Sequence, residues 1–158
     1  MSTAAATSSG YARAAIQKTS LVVGIVFLLV GIAGFIPGLT HSTEHLMGAG
    51  ADSQAALLGV FQVSILHNVV HLLFGVAGIA AAARARASQL YLIIGGAVYL
   101  VVWIYGLIAV NNDQLNFLPV NDADNWLHLG LAAGMILLGI FVTRPFGVER
   151  SDTRARHA

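Results

Sequence analysis

The sequence predicts an all-α fold: an integral-membrane four-helix bundle with both termini in the cytoplasm. Three observations lead there. Hydrophobic residues make up 57% of the 158 residues and charged residues 9%, against about 45–50% and about 25% in soluble domains. With a mean hydropathy of +0.78, the chain needs an apolar solvent. Four stretches contain no Asp, Glu, Lys or Arg: 21–40, 53–83, 87–112 and 125–143. Each has or approaches the roughly 20 apolar residues that carry a helix across the hydrocarbon. Finally, all eight Lys and Arg residues fall on one side of these stretches, and basic residues mark the cytoplasmic side.

Taken along the chain, residues 1–18 read as a polar tail, with Met1–Gly10 rich in Ser, Thr and Ala. Arg13 and Lys18 precede span 1, expected at about 21–40. A basic segment followed by an apolar run also suits a signal peptide. The run is long and ends without a small-x-small site, so it is expected to stay as an anchor. Pro37 and Gly38 close it, since proline donates no helical hydrogen bond and glycine tolerates the turn. The next loop carries Glu44 and Asp52 and no base. Its His41, Glu44 and His45 read as an exposed polar loop.

Span 2 is expected over 53–83, capped by Asp52–Ser53. It is the longest of the four and is expected to project a few turns beyond the bilayer. Arg84 and Arg86 fill the tight turn to span 3, at about 88–110. Asp113, Asp122 and Asp124 lie in or beside the following loop, again without a base. Asn121–Asp122 cap span 4, at about 123–143, and Arg144, Arg150, Arg154 and Arg156 follow it. The membrane domain thus runs over 19–145, with a polar tail at 146–158. Tyr99, Trp103 and Tyr105 line the bundle or form an aromatic belt. Gly130 and Gly134 are spaced for close helix packing.

The chain also matches itself. His67-Asn68-Val69-Val70-His71-Leu72 and Asp124-Asn125-Trp126-Leu127-His128-Leu129 share Asn-x-x-His-Leu at an offset of 57. Phe27-Leu-Leu-Val-x-x-x-Gly34 and Tyr99-Leu-Val-Val-x-x-x-Gly106 match at an offset of 72. The reading is two helical hairpins in parallel, related by an axis along the membrane normal.

The repeat isolates the candidate site. Residues three or four apart share a helix face, so His67, Asn68 and His71 lie together, as do Asp124, Asn125 and His128. At about 1.5 Å per residue, His67 and His128 stand roughly 25 Å from Arg84 and Arg144, in one layer below the outer membrane surface. Three readings follow. The first is interhelical glue, hydrogen bonds worth about 0.6 kcal/mol each. The second is a metal site at His67, His71, His128 and Asp124, a donor set suited to zinc, iron or copper, or a bis-His haem with Gly75, Gly78, Gly130 and Gly134 making room. The third is a proton or small-solute relay. The glue reading is the default; haem or a transition metal is the alternative.

No nucleophile–base pair, phosphate loop or cysteine signals an enzyme. A net charge of +1 offers nothing to nucleic acid. The expected partner is the lipid bilayer, with a homo-oligomer or larger membrane complex left open. The chain resembles an uncharacterised family of small four-span membrane proteins common in actinobacteria. The resemblance rests on Gly31-x-x-Gly34-Phe35-x-Pro37-Gly38, His67-Asn68-x-Val70-His71-Leu72, and Leu118-Pro119-x-Asn121-x-Ala123-Asp124-Asn125-x-Leu127-His128-Leu129. It covers roughly 15–145 and implies the four-span fold and a bacterial plasma membrane. It implies no reaction, ligand or site residue. The function expected is that of a non-enzymatic structural or accessory membrane component, with a haem- or metal-binding redox or transport protein as the alternative.

Overall fold

Gly24 has no side chain, and α1 (Ala15–Ala33) uses that gap to lie directly on α2 (Ile65–Ala81): a Cβ at Gly24 would stand 2.8 Å from the Gly75 carbonyl oxygen. In the second helix pair, α3 (Ala85–Ala109) and α4 (Asp122–Phe141), Gly96 faces the Ala132 carbonyl in the same way, at 2.9 Å. α1 packs mainly on α2 and α3 mainly on α4, with lighter contacts joining the pairs. The structure is a computed structural model and describes residues 10–142. The expectations for Arg144, Arg150, Arg154, Arg156 and the C-terminal tail lie outside the described residues.

The bundle buries polar side chains beside an apolar core of Phe27, Leu92, Tyr99 and Met135, and its outside is apolar. Gln17, Ser20, His67, Asn68, Ser88, Asn125 and His128 are buried, while Val22, Leu29, Leu73, Val101, Ile108 and Trp126 are exposed. Such an arrangement is stable where the surroundings are lipid and polar side chains do better against neighbouring helices. α1, α3 and α4 are each long and apolar enough to cross a membrane, and α2 is a shorter apolar helix of 17 residues.

Three of the expected element boundaries move. α1 starts at Ala15, inside the stretch expected as tail, and ends at Ala33. Gln17 anchors the early start: its side chain accepts from the Ala14 N–H and donates to the Ala82 carbonyl. At the other end the chain turns through Gly38, at φ +93°, and Thr40 Oγ1 donates to the Ala33 carbonyl.

The larger correction is span 2. Residues 53–64 do not extend the helix, and nothing projects as a long rod. They fold into a small antiparallel sheet with β1 (Thr40–His41), β2 (Ala56–Leu57) and β3 (Phe61–Gln62) in that order. Leu58 and Gly59, at φ +54° and +70°, make the turn between β2 and β3, which a helix cannot pass. Ala55, Leu57 and Val63 bury themselves against Val30 and Ala33 at the end of α1. The true N-cap of α2 is Ser64, whose hydroxyl accepts from the His67 N–H, in place of the expected Asp52–Ser53. Asn121 caps α4 as expected.

This sheet and the 110–121 loop form one cap. The Gly50 N–H donates to the Phe117 carbonyl, and Asn121 Nδ2 donates to the Val60 carbonyl. Glu44, Asp52, Asp113, Asp122 and Asp124 belong to this end of the sequence pattern; Arg84 and Arg86 lie at the opposite turn. Gly130 and Gly134 do not pack a helix: a Cβ at either would meet nothing within 4 Å.

Candidate metal centre between the two helix pairs

His67 and His71 are one helical turn apart on α2 and share its buried face. His128 enters from α4. The three are 3%, 7% and 3% exposed, and each offers a ligand atom lying within 4.8 Å of the other two. The His67 ring centroid is 4.7 Å from that of His71 and 5.9 Å from that of His128. Among the described residues they form the one group of this kind.

The cap orients His67. Its Nδ1 lies 3.2 Å from the Pro119 carbonyl oxygen. A carbonyl only accepts, so Nδ1 carries the proton and Nε2 keeps its lone pair. This is the hydrogen bond that typically holds a ligating imidazole. Nδ1 of His71 and Nδ1 of His128 are buried without a partner. Buried polar atoms are nearly always paired; Trp103 Nε1 and amide atoms of Asn68 and Asn125 share this unpartnered state.

Aromatic rings fix the other two imidazoles. Phe27 stacks on His71 at 5.7 Å, Tyr99 lies 5.4 Å from His128, and Phe27 and Tyr99 stack on each other at 5.3 Å. The three histidines line a cavity of about 30 Å³ together with hydrocarbon from Val70, Val98 and Leu118. That space holds a water-sized particle. A porphyrin does not fit, so the haem alternative fails on room. The glycines expected to make that room are filled or elsewhere: Gly75 meets the Leu28 backbone, Gly78 meets Gly24 and Tyr91, and Gly130 and Gly134 open outward.

Asp124 is separate from the three-histidine group. It is 2% exposed, and its Oδ2 accepts from the Asn121 N–H at 3.1 Å and the Gln62 N–H at 2.9 Å. The carboxylate therefore closes the α4 cap and ties β3 to it. Asn68 and Asn125 serve helix approach. A Cβ on Gly34 would run into the Asn68 amide, and one on Gly106 into the Asn125 amide. Asn68 Oδ1 and Nδ2 and Asn125 Oδ1 lack partners. His41, Glu44 and His45 are exposed in the cap; His45 Nε2 is 3.9 Å from Glu44 Oε1.

The sequence did not assign Phe27 or Pro119 to the site and gave Tyr99 only a general place. A signal was available. Phe27 and Tyr99 are matched at the offset of 72, and His71 and His128 at the offset of 57; the matched aromatics lie on the matched imidazoles. The same two offsets relate Gly34–Asn68 to Gly106–Asn125. They also relate the bond from Gln17 to the Ala82 carbonyl with that from Gln89 to the Gly139 carbonyl.

Residues 17–141 match the family model described as Domain of unknown function (DUF4383). No curated protein and no solved structure matches the chain.

Proposed function

The chain belongs to this family of unknown function, and we propose that it is a multi-pass plasma-membrane protein that holds a transition-metal ion among His67, His71 and His128. The observation that carries the reading is the convergence of three buried imidazoles whose ligand atoms lie within 4.8 Å, two of them with an unpartnered ring nitrogen. Interhelical glue would leave those nitrogens bonded across the bundle. Neutral imidazole is the commonest protein ligand for zinc, copper, iron and nickel. Asp124 supports the site from behind by holding the cap, outside the ligand set.

The protein crosses the membrane four times with both ends in the cytoplasm. α2 covers about 25 Å, close to the roughly 30 Å of hydrocarbon, and it runs back alongside α1. Arg13, Lys18, Arg84 and Arg86 favour the cytoplasm for the end opposite the cap. The paired contacts at offsets of 72 and 57 support an ancient duplication of one hairpin. The family resemblance supports a bacterial, actinobacterial membrane. The role is non-enzymatic: a cavity of about 30 Å³ has room for an ion on the histidines and none for an organic substrate.

The test is metal retention. Detergent-purified protein is incubated separately with Zn(II), Co(II) and reduced copper, desalted, and assayed for metal per chain. The reading expects one ion per chain for at least one of these metals, lost in His67→Gln, His71→Gln and His128→Gln. Equal retention by the wild type and a triple variant, or no retention of any metal, overturns it.

A further inference from the structure

The three imidazoles meet without any negative charge among them. Each contributes a neutral lone pair. The nearest carboxylate in the sequence pattern, Asp124, stands outside the group, and its Oδ2 is occupied by two backbone N–H donors. Of the other residues lining the cavity, Val70, Phe74, Val98, Val102 and Leu118 end in hydrocarbon, and only Tyr99 brings a side-chain heteroatom.

The charge of a bound ion is therefore not cancelled by its ligands. The cost of placing an ion in a medium of low dielectric rises with the square of its charge. A divalent ion on three neutral donors keeps its full charge in the bundle. A monovalent ion pays far less. Zinc on three histidines takes a water as its fourth ligand, which is neutral and cancels none of the charge. Phe27 stacks on the His71 ring and Tyr99 lies beside His128, so both hold the imidazoles in place. Sodium and potassium are monovalent, but they are hard cations that nitrogen donors serve poorly. Imidazole suits copper.

We propose that the His67–His71–His128 centre is a Cu(I) site that discriminates by charge against divalent metals. The proposal rests on the metal-binding reading above and deepens it by naming the ion. The Pro119 carbonyl supports it from behind, because its hydrogen bond to His67 Nδ1 makes the opposite nitrogen a better donor.

The experiment loads the full chain in detergent, without oxygen, with Cu(I), Cu(II) or Zn(II) at equal concentration. Each sample is desalted against a competing chelator, and the retained metal is counted. A His45→Gln variant measures any exposed background binding in the cap. The expected result is one Cu(I) per chain, with Cu(II) and Zn(II) retained at less than about a tenth of that, a ratio equivalent to ~1.4 kcal/mol. His71→Gln and His128→Gln should each lose Cu(I), with unchanged helical circular dichroism. If those variants misfold, the wild-type comparison among the three ions still decides the matter. Retention of Zn(II) or Cu(II) equal to or above that of Cu(I), dependent on the same histidines, overturns the charge argument and leaves the metal centre standing. Retention of none of the three ions overturns the Cu(I) assignment, and absence of Co(II) retention as well overturns the metal centre.

Discussion

Gly34 and Gly106 lack side chains because each faces an asparagine amide on the neighbouring helix. Adding one methyl group at Gly34 must displace Asn68, which is fully buried. Gly34→Ala should therefore lose about 1–3 kcal/mol, the usual cost of overpacking, as a lowered thermal midpoint in detergent. Gly130→Ala is the control, because nothing lies within 4 Å of its added carbon; it should change stability by no more than about 1 kcal/mol. Equal midpoints for both variants would contradict the close approach at Asn68. Asp124 makes a second prediction at this scale. Asp124→Asn weakens a carboxylate that accepts from Asn121 and Gln62 and should cost about 1–2 kcal/mol, measured by denaturation. Its metal content should remain that of the wild type. A folded Asp124→Asn protein without metal would put the carboxylate back among the ligands.

At the scale of elements, the cap determines where α2 begins. Ser64→Ala should cost about 1 kcal/mol and speed hydrogen exchange at the His67 amide, which donates to the Ser64 hydroxyl. Unchanged exchange there would show that another group caps the helix. This boundary was poorly legible in the sequence. An uncharged run such as 53–83 reads as one helix because hydropathy registers transfer into lipid and says little about turns. The missed cue was Gly59, followed by Val60-Phe61-Gln62-Val63, a short run rich in β-branched and aromatic residues after a turn residue. By contrast, Asn121 was legible as a cap, because its short polar side chain comes after Pro119 and directly before the helix; the same reasoning failed at Asp52–Ser53, where a sheet intervenes. The histidine faces were legible too. Spacing of three and four residues on a helix fixes direction, so His67 and His71 had to point together. That His128 reaches them from the other helix pair depends on packing, and the internal match only suggested it.

At the scale of the whole molecule, large apolar side chains cover the surface of the bundle while many polar ones are buried among its helices. Its total lack of cysteine makes the topology easy to test. Single cysteines at Ala49 and Gln114, both exposed in the cap, should react with a membrane-impermeant maleimide on intact cells. One at Ala83, exposed in the opposite turn, should react only after permeabilisation. The reverse pattern would contradict cytoplasmic termini, and labelling of all three in intact cells would contradict a crossing. Metal should also stabilise the whole bundle, because the ion joins α2 of one pair to α4 of the other. At a free concentration of 100 times its Kd, a ligand specific to the folded state adds about 2.7 kcal/mol.

The central claim is that histidines from both helix pairs bind one ion. X-ray absorption at the edge of the bound metal tests this directly, because it reports the atoms around the ion. The predicted spectrum shows three imidazole nitrogens at roughly 2.0 Å, and His128→Gln, which loses the ion, shows no such shell. A shell made of carboxylate oxygens, or one unchanged by His128→Gln, would contradict the claim.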